Sequence, residues 1–169
     1  LFQKFVGGMG SGWLRAGRGR SKDALAEWET AARVPAIAPA NRAAARNRQA
    51  ALLLRLGNAA AATAQLEQGL PDATNRDQEF EALQLLAIAQ AVAGRHAESD
   101  KTLARLETRV AIVPSDREKR RVHWARGQIA LNRGDAAVAV TELSAAVRML
   151  PAHGAVLGPP SNIAPLLYD

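Results

Sequence analysis

Four glycines divide this chain into stretches of nearly equal length, and the residues that follow each of them obey one pattern. Gly19 precedes Ala24 and Trp28, Gly57 precedes Ala62 and Leu66, Gly94 precedes Ser99 and Leu103, and Gly134 precedes Ala139 and Leu143. Each copy therefore has a small residue at +5 and a large apolar residue at +9 from its glycine. The spacings are 57 − 19 = 38, 94 − 57 = 37 and 134 − 94 = 40 residues. A glycine that ends one helix can enter the left-handed region closing its last turn. The small residue at +5 then lets a second helix approach the first closely, and the large residue at +9 fills the groove between units.

Helix-end chemistry predicts the same partition, because the first turn of a helix needs acceptors for its free amides. Ser115 with Glu118 three residues later has the capping-box form, and Asn75 with Gln78 repeats it. Ser21, Asn41, Asn58 and Asp135 are candidate caps for four more starts. The pattern predicts helices over 22–32, 41–56, 59–69, 77–93, 96–110, 116–133 and 136–149. A further helix within 2–16 is the weakest, since Gly7, Gly8, Gly10 and Gly12 each cost about 1 kcal/mol relative to alanine. Pro35, Pro39, Pro71 and Pro114 mark the links, because the residue before proline avoids helix.

Composition agrees with an all-α chain. Of 169 residues, 48% are hydrophobic but only 4% aromatic, and alanine supplies much of the difference. Such a chain favours helices packed through small side chains. The absence of cysteine excludes a disulfide framework, a thiolate metal site and a cysteine nucleophile. Lys and Arg number 22 against 16 Asp and Glu, a net charge of +6 carried mostly by arginine, which is modest for a nucleic-acid binder. The longest uncharged stretch, 149–168, is broken by Pro151, Pro159, Pro160 and Pro165 and is no membrane span. The chain begins at Leu1 and reads as a piece of a longer protein; the compartment is left open, with the cytoplasm favoured.

Around Gly134 the chain reads Gly127, Ala130, Gly134, Asp135, Ala139, Leu143, Ala146 and Pro151. These residue types at these offsets resemble the tetratricopeptide repeat, a helix–turn–helix unit of about 34 residues. The other three glycines carry more degenerate copies. The spacings of 38, 37 and 40 residues depart from the family in being longer than its unit, so the extra residues must sit in longer helices or in the links between repeats. The resemblance also suggests a bacterial source. The resemblance implies an all-α fold, an α-solenoid of antiparallel helix pairs in a right-handed superhelix, with about four repeats in 1–151. Residues 152–169 would be a loop and the start of a truncated fifth repeat, whose apolar stretch is 163–168. An array cut open there would leave apolar surface and self-associate through its C-terminal face. The resemblance further implies a concave groove for a peptide or partner helix, lined by the first helix of each unit. The glycine register places Asn47, Arg48 and Arg55 in it from the second unit, Gln84 and Ile88 from the third, and Arg121, Trp124, Gln128 and Asn132 from the fourth. The family's carboxylate clamp needs a lysine that has no counterpart here. Trp124, beside arginine and glutamine, has the composition of an interaction hot spot.

No chemistry of catalysis is legible. His96, His123 and His153 are far apart in the chain, without the i, i+4 pairing or carboxylate neighbours of a zinc site. The glycine run at 7–12 lacks the Lys-Ser/Thr of a phosphate loop and follows no strand. Glu27 and Glu29, like Glu79 and Glu81, are two apart, so they point to different faces of a helix and read as solvated surface. The expectation is a non-enzymatic protein-binding scaffold without metal or cofactor. The competing reading is binding of nucleic acid or another anionic partner by the basic cluster Arg117, Lys119, Arg120, Arg121 and Arg126. Asp116 and Glu118 lie within that cluster and dilute it.

Overall fold

A computed structural model describes residues 2–35, 37–113 and 115–150. Among them are eight α-helices and no strand: α1 (Phe2–Gly17), α2 (Ser21–Ala32), α3 (Pro39–Arg55), α4 (Ala59–Gly69), α5 (Arg76–Val92), α6 (His96–Ala111), α7 (Asp116–Asn132) and α8 (Ala136–Arg148). A 3₁₀ turn, Leu70–Asp72, follows α4. The expected fifth repeat, with its stretch 163–168, lies outside the described residues, as do Pro114, Pro151 and His153.

Each of the four register glycines joins the two helices of a pair. Their φ angles are 73° at Gly19, 75° at Gly57, 75° at Gly94 and 80° at Gly134, a region that residues with a Cβ rarely adopt. The residue after each glycine donates its amide back across the turn. Arg20 N reaches Arg15 O at 2.9 Å, Asn58 N reaches Leu53 O at 2.8 Å, Arg95 N reaches Gln90 O at 2.8 Å and Asp135 N reaches Ala130 O at 2.9 Å. These are four copies of the Schellman closure, which satisfies carbonyls left free at the end of the first helix.

The caps divide. Asn58, Asn75, Ser115 and Asp135 each accept from the amide three residues on, at 3.1, 3.0, 3.3 and 3.1 Å. Ser21 and Asn41 do not cap: α2 begins at Ser21 itself, after Arg20, and α3 begins earlier, at Pro39. Proline at the first position has the φ a helix needs and lacks an amide that would go unbonded.

The helices pack in sequential pairs, α1 on α2, α3 on α4, α5 on α6 and α7 on α8. Each second helix also touches the first helix of the following pair, and α3, α5 and α7 touch in series. The +5 residues Ala24, Ala62, Ser99 and Ala139 are all buried, and the Ser99 hydroxyl donates to Ala87 O at 2.7 Å. The +9 residue works in two directions. Trp28 packs with Leu52 of the next pair, and Leu66 with Ala82 and Leu86 of the next pair. Within its own pair the same position presses on the residue at −7. A Cβ at Gly12 would collide with the Trp28 indole, and one at Gly127 would lie 2.6 Å from Leu143 Cγ. Glycine is therefore required at those two places by close approach of a neighbouring side chain. That contact also explains why α1 is a complete helix despite its glycines: Gly8 and Gly12 face α2, and the Trp28 indole N–H donates to Met9 O at 3.2 Å.

The centre of the core is Phe80, Leu83, Ile88, Leu106, Val110, Val122 and Ala125, drawn from α5, α6 and α7. Helix α5 is buried almost continuously from Phe80 to Ala91, as a helix with neighbours on all sides must be.

Candidate functional site

The polar residues that the groove register singled out are mostly tied between consecutive first helices. Asn47 on α3 is fully buried; its Nδ2 donates to Gln78 O at 3.2 Å and to Glu81 Oε2 at 3.4 Å on α5. Arg48 Nη1 pairs with Glu81 Oε1 at 3.2 Å, and its guanidinium stacks over the Trp13 ring, 5.4 Å from the centroid. One junction further on, Gln84 on α5 accepts from Arg121 Nη1 on α7 at 3.5 Å, and Arg121 Nη2 meets Asp77 Oδ1 at 2.7 Å. Arg121 Nε also sits 2.9 Å from Glu118 Oε2.

This repeats one arrangement: the residue at −10 from one glycine bonds the residue at −13 from the next. Four of the nine expected groove residues, Asn47, Gln84, Ile88 and Arg121, are buried rather than displayed. Ile88 belongs to the central core. The polar members offer no free face to a partner, because they are enclosed and Asn47 Nδ2, Gln84 Oε1 and the Arg121 Nη groups bond neighbouring helices, although Asn47 Oδ1 and Arg121 Nε find no hydrogen-bond partner. Buried polar groups need such partners or lose the full cost of desolvation.

The sequence reading also missed the other half of these contacts. Glu79 and Glu81 do lie on different faces of α5, but neither is solvated surface. Glu81 is buried against Asn47 and Arg48, while Glu79 pairs with Arg109 Nη2 at 2.7 Å and Arg105 Nη2 at 3.6 Å. Glu29 accepts from Gln49 Nε2 at 2.9 Å. That hydrogen bond, aided by Arg33, holds the Glu29 carboxyl below its ordinary pKa against the opposing effect of burial. His123 gains a carboxylate neighbour from α8, with Nδ1 2.6 Å from Glu142 Oε2. Among the described residues no group of three or more His, Cys, Asp or Glu is placed to hold a metal ion.

The remaining groove residues are reachable. Arg55 and Asn132 are exposed, and Arg48, Trp124 and Gln128 are half-buried. Trp124, Gln128 and Asn132 follow at four-residue intervals along α7, with exposed Leu131 beside them. The inner side of Trp124 packs against the central core. Its register position is −10, the same as Asn47 and Gln84. Those two are covered by the first helix of the next pair; over Trp124 the described residues place no such helix.

The basic cluster is largely neutralised. Arg117 Nη2 and Arg121 Nη2 share Asp77 Oδ1 at 2.6 and 2.7 Å, and Arg126 Nε binds Glu107 Oε1 at 2.8 Å. Among the described residues Lys119 and Arg120 have no ion pair. Arg120 is half-buried, and burial, then the like charges of Arg121 and Arg117, hold its pKa below the ordinary arginine value. It borders a cleft of about 340 Å³ with Asp116, Arg117, Arg148, Met149 and Leu150. No helix of the described residues is long and apolar enough to cross a membrane. No protein-family model matches the chain, and neither a curated protein nor a solved structure matches it.

Proposed function

We propose that the chain is a non-catalytic interaction module, a tetratricopeptide-type α-solenoid that holds a peptide or partner helix on its first-helix wall. The observation that carries this reading is the face of α7 over which the described residues place no helix, where half-buried Trp124 and Gln128 and exposed Leu131 and Asn132 line up an aromatic, an aliphatic and two amides in one stripe. Tryptophan surrounded by hydrogen-bonding groups is the composition of interaction hot spots. The four left-handed glycine turns, and the small residues behind them, support the solenoid assignment.

The basic-face alternative draws less support. Arg117, Arg121 and Arg126 already neutralise carboxylates, so few guanidinium groups are left to release counterions from a phosphate backbone.

A photo-crosslinking amino acid at Gln128, used in a lysate of the source organism, tests the reading. The expected result is one predominant protein adduct, mapped to a helical or extended peptide and lost in Asn132→Arg and Trp124→Ala. Adducts with nucleic acid alone, lost as salt rises, overturn it in favour of the basic face; no adduct at all overturns both. Asn132→Arg changes an exposed residue, so its effect does not depend on the stability of the core.

A further inference from the structure

We infer that the element covering the α7 face is α1 of a second copy of this chain, docked head to tail in the same register as the internal junctions. The inference rests on the reading of that face as an interaction surface, and it names the partner.

At each internal junction the first helix of a pair buries two positions against the pair before it. At −5 these are Leu52, Ala89 and Ile129, with exposures of 5%, 0% and 4%; in α1 the same position is Leu14, 65% exposed. At −12 they are Ala45, Ala82 and Val122, all buried; in α1 it is Gly7, exposed, where an added Cβ would meet nothing within 4 Å. Helix α1 thus offers to the outside the face that α3, α5 and α7 bury. Exposed Phe2 and Val6 extend it.

The opposite end has the mating surface. At +6 Val140 is 66% exposed where Thr63 is 2% exposed, Leu25 is half-buried and Asp100, though exposed, pairs with Arg133 of the next pair; at +13 Val147 is exposed where Ala32 is buried and Leu70 and Glu107 are half-buried. The two ends are also compatible in charge. Along the −10 to −13 series Asn47 meets Glu81 and Gln84 meets Arg121; the next members are Trp124 at −10 and, on α1, Val6 at −13. Between +13 and −8, Glu107 meets Arg126; the corresponding terminal residues are Val147 and Ser11. None of these four terminal residues carries a charge, as is also the case at the internal pairs Met9 with Ala44 and Leu70 with Leu86. That is what an apolar junction between copies requires, since a charge left on one side would be buried unpaired. One contact of this kind covers both open faces. It is heterologous, so it extends into a filament unless the rotation closes a ring.

Sedimentation velocity of the full chain over a graded concentration series tests this, with Leu14→Glu and Val140→Glu as variants on opposite ends. Both substituted residues are exposed, and equal helical circular dichroism checks the fold. The expected result is assembly beyond a dimer for the wild type and monomers for each variant alone. A mixture of the two variants is expected to form a one-to-one dimer and nothing larger, because each retains one intact face. A wild type that stays monomeric at all concentrations overturns the inference. So does loss of association in Val140→Glu with none in Leu14→Glu, which describes tail-to-tail contact. Assembly that appears only in Leu166→Asp with Leu167→Asp also overturns it, with the chain's own C-terminal residues as the occupant. If the wild type is monomeric while the Gln128 crosslink marks another protein, this inference fails and the interaction reading stands; if the crosslink marks nothing, both fail.

Discussion

Helices α5 and α1 occupy the same place in their pairs and end in the same glycine turn, yet α5 buries nearly every residue from Phe80 to Ala91 while α1 buries only Phe5 and Gly12. The difference lies in their neighbours. Helix α5 is packed against α3, α4, α6 and α7, whereas the extensive contacts of α1 are with α2. A register position is thus a core position or a surface position according to what stands beside it. In α5 even the polar residues Glu81, Gln84 and Gln90 are enclosed.

The largest test of this contrast is truncation at the centre against truncation at the end. Leu83→Ala in α5, a fully buried position, is expected to cost about 2–5 kcal/mol from lost burial and the cavity left behind. Leu14→Ala in α1 is expected to stay within about 0.5 kcal/mol at concentrations where the chain is monomeric. Urea unfolding of the two variants checks both.

A second test uses the polar junction. Glu81→Ala leaves the buried Asn47 amide without one of its acceptors and Arg48 without its carboxylate, at an expected cost of about 2 kcal/mol. Glu81→Gln is expected to lose less, since its amide oxygen still accepts from Asn47. The α1 counterpart, Val6→Ala, is expected to change unfolding little. Equal losses for Glu81→Ala and Val6→Ala would show that the junction bonds carry no stability.

Glycines within α1 sharpen the comparison further. Gly12→Ala drives a methyl into the Trp28 indole and is expected to destabilise by about 1–3 kcal/mol through overpacking. Gly10→Ala meets nothing within 4 Å and is expected to stabilise by up to about 1 kcal/mol through helix propensity. Thermal melts of opposite sign for two substitutions in one helix are the expected outcome.

The smallest effect is on pH. The Asp72 carboxyl is held below its ordinary value of 3.8, chiefly by the Arg42 hydrogen bonds, and Glu29 is held below 4.5, chiefly by Gln49. The unfolded chain therefore takes up protons first as pH falls. The stability these groups add is fully present above the ordinary values and is lost as pH drops through the lower folded ones. Both are near the surface, so the slope is shallow. Gln49→Ala and Arg42→Ala are each expected to flatten it in urea midpoints measured between neutral pH and pH 3.

Much of the local architecture was legible before any coordinates. Seven helices fall within two residues of their expected bounds, and the glycines expected to turn the chain are the four with positive φ. Helix capping and glycine turns depend on a residue and its neighbours within about five positions, so all four turns and four of the six expected caps are legible from order, Ser21 and Asn41 being the two that fail. The candidate site was legible only in part. Trp124 and Gln128 are half-buried and Asn132 exposed on the side of α7 where the described residues place no further helix, but Asn47, Gln84 and Arg121, taken from the same register, are bonded inside.

What the sequence by itself determined is where each helix starts, where it turns and which side of it is small enough for close contact. It even placed Glu79 and Glu81 on different faces of α5. Only the tertiary structure decided that both faces meet protein, that Gly12 and Gly127 are sockets for Trp28 and Leu143, and that the same register position is enclosed at Gln84 and half-buried at Trp124. Periodicity assigns a direction to each side chain, but exposure depends on which helix lies in that direction, and that is set by contacts between residues tens of positions apart.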